Sequence, residues 1–230
     1  MGFKILFHNS QPIPGHQISQ SIGGFGSSYN RTVRQIIQST DCQTINHDLF
    51  VRNTVSVLNN FKMTRRGVFR GLKYDAGGKF LGPIEKIDDC WGAIESIISE
   101  IKALLRQRKA ADRGRVIVLM DENQLRLITD SLYKAFKRLL PITMSQNSYG
   151  LVGASKILFA VLPEIALPVD NVEWRQIFKT VDFGDVIGLM AREIKSWEKS
   201  TGLKLNECDQ TNAATTLPAV YNVMAMKARP

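Results

Sequence analysis

The chain has 230 residues, 44% of them hydrophobic, with a formal charge of +9 and a pI near 9.6. That apolar share suffices for a buried core and excludes a chain disordered throughout. Three scattered cysteines, Cys42, Cys90 and Cys208, exclude a disulfide scaffold and fit a reducing, cytoplasmic setting.

In chain order, residues 1–30 are rich in Gly, Pro, Ser, Asn and Gln. They read as an arm or loop layer with one short strand at FKILF, a small β element near the N-terminus. The apolar patch there is too short for a signal peptide or a membrane anchor. No later run approaches the ~18 apolar residues of a membrane span, so no membrane partner is expected.

RTVRQIIQ predicts a helix with Asn30 as N-cap. HDLFVRNTVSVLNNF continues helical, with Val51, Val55, Leu58 and Phe61 near one face. Residues 62–82 change character: KMTRRGVFRGLKYD places five basic residues before its first acid. Glycines punctuate the segment, which reads as an extended hairpin or loop.

Helices then dominate. DDCWGAIESIISEIKALLRQR sets Trp91, Ile94, Ile98, Ile101 and Leu105 at helical spacing. RGRVIVLM reads as a strand or a buried connector. DENQLRLITDSLYKAFKRLL opens on Asp121 and Gln124, a capping-box pair, and carries the stripe Leu125, Ile128, Leu132, Phe136 and Leu139. A short helix is predicted from about Ser155 to Leu162. Another in DFGDVIGLMAREIKSW has Val186, Met190, Ile194 and Trp197 on one face and Gly202 as its C-cap. TTLPAVYNVMAMKA reads as a last helix with Pro218 in its first turn. The expected fold is mainly α: an N-terminal arm, then one helical domain over 31–230 with a basic loop at 62–82.

The chemistry-bearing stretch is GLVGASKILFAVLPEIALPVDNVEWRQIF, residues 150–178. Gly150 and Gly153 let the backbone turn tightly and approach a partner closely. Lys156 follows at a helix start, a place suited to a phosphate. Pro168 forces extended backbone before Val169 and Asp170. Asp170 and Glu173 also spell a D-x-x-E capping box, so a structural role for the aspartate stands beside a catalytic one.

These residues resemble the core of the helix-hairpin-helix DNA glycosylases, the 8-oxoguanine glycosylase/lyases above all. The resemblance covers about 30 of the 230 residues. It sets Gly150 and Gly153 in the hairpin, Lys156 in the position of the catalytic lysine, and Pro168-Val169-Asp170 in the aspartate segment. It implies a basic, α-helical protein that binds double-stranded DNA without a cofactor. Lys156 would attack C1′ of a flipped-out nucleotide and form a Schiff base. Such a lysine must be neutral, with its pKa lowered from about 10.4. Asp170 would stabilise the oxocarbenium-like charge. Phe159, Trp174 and Phe178 would wall the base pocket.

Lys62, Arg65, Arg66, Arg70 and Lys73, interleaved with Phe61, Phe69 and Tyr74, form the main nucleic-acid patch expected. Lys134, Lys137 and Arg138 could touch the backbone beside the hairpin. Arg106, Arg108, Lys109, Arg113 and Arg115 end a helix, where cations suit the dipole regardless of partner. GGFGSS at 23–28 lacks the ending of a phosphate-binding loop. His8, His16 and His47 show no metal spacing, so no metal site is expected. Asp121-Glu122 reads as a helix cap with a first-turn acid before it reads as a metal pair. Two further readings stay open: a non-catalytic DNA-binding module on the same scaffold, and a structural or protein-interaction domain.

Overall fold

The structure, a computed structural model, describes residues 5–40, 45–75, 77–146, 148–209 and 216–228. Cys42 lies outside them. The fold is mainly α, with ten α-helices and two small two-stranded sheets among the described residues.

The long amphipathic repeats build its centre. Helix α4 (Ile84–Arg106) buries Ile87, Trp91, Ile94, Ile98, Ile101 and Leu105. It lies along α7 (Glu122–Thr143), whose predicted stripe is buried as a whole. The Asp121–Gln124 capping box that starts α7 is complete. On its other side α7 meets α9 (Phe183–Thr201), which buries Val186, Met190, Ile194 and Trp197 and stops at Gly202 in the left-handed conformation.

Helix α8 (Leu151–Val161) passes between α7 and α3 (His47–Asn60). Every residue from Gly153 to Val161 is buried, as expected of a helix apolar all round. Helix α10 (Leu217–Lys227) is buried from Leu217 to Ala225, with Pro218 in its first turn.

Residues 5–30 differ from a plain arm. Strands β1 (Phe7–His8) and β2 (Gln11–Pro12) pair antiparallel, and α1 (Gly15–Gly23) follows. Ile18 and Ile22, one helical turn apart, are its buried stripe. Glu193 of α9 pins this end: its carboxylate accepts the N–H groups of Ile5 and Leu6 at 2.9 and 2.7 Å, and the Tyr221 hydroxyl at 2.6 Å.

Helix α2 (Ser27–Thr40) begins ahead of Asn30, because Tyr29, Val33 and Ile36 share its buried face. Residues 62–82 form two 3-10 turns and then the hairpin of β3 (Lys73–Tyr74) and β4 (Phe80–Leu81). After the short α5 (Ala110–Arg113), VIVL is neither strand nor connector but one turn of helix, α6 (Val116–Leu119). Among the described residues no strand pairs with it, and α9 supplies the cover for Val116 and Ile117.

Candidate functional site

The site begins where α7 turns into α8. Gly150 caps α8 at φ +77°, and a Cβ there would lie 2.6 Å from Thr143 Oγ1 and 2.8 Å from the Leu140 carbonyl. Only glycine fits that approach without strain. Thr143 Oγ1 closes the joint by donating to the Gly150 carbonyl at 2.9 Å. Helix α8 therefore starts at Leu151, earlier than Ser155. Gly153 is its third residue, buried against Thr143, and the Phe69 ring lies 3.5 Å from where its Cβ would be. Its role is close packing.

Lys156 and Asp170 are brought together. Ser155 does the aligning, since its hydroxyl donates to the Val169 carbonyl at 3.2 Å and accepts the Val169 N–H at 3.1 Å. That clamp fixes the Pro-Val-Asp segment against α8 and sets Asp170 opposite the next side chain. Lys156 Nζ then lies 2.5 Å from Asp170 Oδ1 and 4.1 Å from the centre of the Phe61 ring. A carboxylate and a ring face both attract a cation. The Lys156 side chain is 2% exposed and that of Asp170 25%, so solvent meets the pair on the aspartate side.

The D-x-x-E box is also present in part. Glu173 accepts the Asp170 N–H at 2.6 Å, starting a single π-helical turn at Glu173–Phe178. Asp170 thus serves the turn through its backbone and Lys156 through its carboxylate. Tyr29 stands close by, buried, with Asn222 donating to its hydroxyl at 2.7 Å. Burial pushes its phenol above the ordinary range, and the charges of Glu173 and Asp170 push the same way.

The basic loop shares this locality. Phe61, whose ring covers the Lys156 ammonium, precedes Lys62, and Phe69 sits against Gly153. Lys62, Arg65, Arg66, Arg70 and Lys73 are all exposed. Among the described residues none of the five is ion-paired. The interleaved rings differ in burial. Phe69 is buried in the core, Phe61 is half-buried on Lys156, and Tyr74 packs edge-on to Phe80 at 5.6 Å.

On α7, Lys134, Lys137 and Arg138 are exposed. Lys137 lies over the Tyr133 ring, and Arg138 donates to the Ala93 carbonyl at 3.2 Å. Arg115 is engaged in the fold, paired with Glu198 through two bonds of 2.8 Å.

Phe159, Trp174 and Phe178 are all buried. Phe159 and Phe178 are core residues. Trp174 packs on Phe136 and Phe183 and gives one wall to a cleft of about 750 Å³. The cleft lies between the α7–α8 loop and the π-turn, and Tyr149, Asn171, Arg175, Lys179 and Val181 line it. Sequence reading passed over these residues, although the loop tip NSYG carries an aromatic beside a glycine.

The other motifs resolve structurally. GGFGSS ends α1 and starts α2, with Phe25 edge-on to Tyr29 at 4.8 Å. His47 bonds Asp88 at 2.8 Å, and no cluster of three metal-binding side chains occurs among the described residues. Asp121 is the α7 cap, and Glu122 pairs with Arg192 at 3.2 Å. No helix among the described residues is long and apolar enough to cross a membrane. Compared with known protein families, curated proteins and solved structures, the chain matches none.

Proposed function

We propose that this protein binds duplex DNA through its basic loop and α7–α8 joint, and that Lys156 and Asp170 excise a damaged or modified base. The observation that carries the reading is the convergence of three sequence features in one place. Lys156 contacts Asp170 across 14 residues of chain. The unpaired cations of the loop begin one residue after the ring that covers Lys156. Phe69 of that loop packs on the glycine three residues before it.

The chemistry follows from the pair. A flipped nucleotide approaches from the more exposed Asp170 side. Asp170 takes a proton from the Lys156 ammonium, and the freed amine attacks C1′ while the base departs with a proton. Asp170, again a carboxylate once it passes the proton on, balances the positive charge that develops on the sugar.

The burial of the Lys156 side chain supports a second reading. In it the pair is a structural clip and the protein is a non-catalytic DNA-binding module. Borohydride trapping separates the two. The protein is mixed with a duplex containing an abasic site and reduced, with Lys156→Gln alongside and circular dichroism to verify folding. A covalent adduct that the folded variant lacks is expected. Retardation of the duplex without an adduct would leave the binding module. No retardation at physiological salt would overturn the DNA reading altogether.

A further inference from the structure

The cleft behind the α7–α8 loop is separate in its residues from the lysine–aspartate pair. Asn171 borders it, one position beyond Asp170, so the two share a wall. Its volume of about 750 Å³ falls within the roughly 300–1,000 Å³ of ligand-sized pockets. Two cations line it, Arg175 and Lys179, both exposed and neither ion-paired among the described residues. Large apolar side chains stand out at its mouth: Tyr149 is 79% exposed and Val181 66%.

Tyr149 is the most exposed of the large hydrophobic side chains among the described residues. Ser145 and Ser148 form an isolated antiparallel bridge before Tyr149, and Gly150 after it lies against Thr143. Lys179 is held in the left-handed conformation at the end of the π-turn, with its N–H on the Trp174 carbonyl at 3.0 Å. An exposed aromatic beside two cations that make no ion pair among the described residues suits a planar base joined to a phosphate. It does not suit an apolar helix, which the cations would disfavour, or a free metal ion, which they would repel.

We infer that this cleft seats one unstacked nucleotide of a bound nucleic-acid strand. The base lies on the Tyr149 ring, and Arg175 and Lys179 hold the adjoining phosphates. The inference rests on the DNA-binding reading above and extends it. The seat is a second contact, beside the α8 start and distinct from Lys156, that favours strands with an unpaired nucleotide. Both cations sit on the turn that Asp170 begins, so occupancy of the seat bears on the segment that presents the aspartate.

The test compares two labelled duplexes by fluorescence anisotropy, one fully paired and one with a single bulged nucleotide, for the intact protein and three variants. The intact protein should bind the bulged duplex about tenfold more tightly, the scale of one base–aromatic stack. Tyr149→Ala should erase that preference. Tyr149→Phe should keep it. Arg175→Ala/Lys179→Ala should weaken the bulged duplex more than the paired one. Equal binding of both duplexes by the intact protein, unchanged by the variants, would overturn the seat and leave DNA binding standing. Failure to bind either duplex would sink the DNA reading, and the seat with it. Competition by a free mononucleotide as effective as by the bulged duplex would also overturn it, showing a nucleotide site with no use for the strand.

Discussion

Cys90, on the buried face of α4, shows how one side chain couples to the stability of the whole. Burial pushes its thiol from 9.0 up to about 12, with the Asp89 charge acting in the same direction. Raised above its unfolded value, the group contributes stability that is complete below pH 9 and is lost as pH rises towards 12. Cys208 is shifted the same way by burial, and the buried Tyr29 and Tyr221 join only above their ordinary value of 10.0. Urea midpoints should therefore hold steady from pH 7 to 8.5 and fall between pH 9 and 10. Cys90→Ala should flatten that fall without abolishing it, and an unchanged slope would show that the thiol is already solvated in the fold. Buried ionic groups were harder to read from sequence than this thiol. Glu193 sits beside Ile194 in an amphipathic pattern and reads as a surface acid, yet its partners Ile5 and Leu6 are more than 180 residues away. Lys102 likewise looks like the polar side of α4 and is instead buried on Glu164 at 2.8 Å. Lys156 and Asp170 stood out by their places, at the head of an apolar run and after Pro168-Val169, but the Ser155 clamp that brings them together could not be read from spacing.

Among elements, the long periodic helices were readable and the short ones were not. α4, α7 and α9 each repeat their apolar stripe over several turns, and caps mark two of them. α1 has two stripe residues among glycines, serines and glutamines. In α6 the β-branched run argues for a strand that finds no partner. The α7–α8 joint lies between these cases: its glycines were visible, while what they pack against was not. Its rigidity rests on Gly150, so Gly150→Ala should cost about 3 kcal/mol, combining left-handed strain with overpacking against Thr143 and Leu140. Gly67 provides the control, with φ +72° and open space around its Cβ position. Gly67→Ala should cost about 1 kcal/mol, from backbone strain alone. Urea denaturation of both variants would measure the difference. Equal losses would mean that the close approach at Gly150 relaxes freely.

Over the whole molecule the net charge of +9 is legible at once, but it does not say where a polyanion would lie. Placement depends on which cations already have partners. Lys102, Arg115 and Lys156 are committed inside the fold, and Arg192 and Lys204 pair with acids on the surface. The basic loop keeps its charges available. Its nearest following acid, Asp75, spends its carboxylate on the turn amides of Gly77 and Lys79, at 2.9 and 2.8 Å. A cation already neutralised by a protein acid releases few counterions on meeting a phosphate, whereas an unpaired one releases its full share. The salt dependence of duplex binding should therefore report the cations without acid partners that meet phosphate, the loop's among them, and not the paired ones. Plotting the logarithm of the binding constant against that of salt concentration, Arg65→Ala/Arg66→Ala should reduce the slope by about 2. Lys204→Ala should leave it unchanged, because Glu207 holds that ammonium at 3.3 Å. If both variants shift the slope alike, the protein attracts DNA by overall charge alone. A change confined to the loop variant would place the duplex against residues 62–73, beside the ring that covers Lys156.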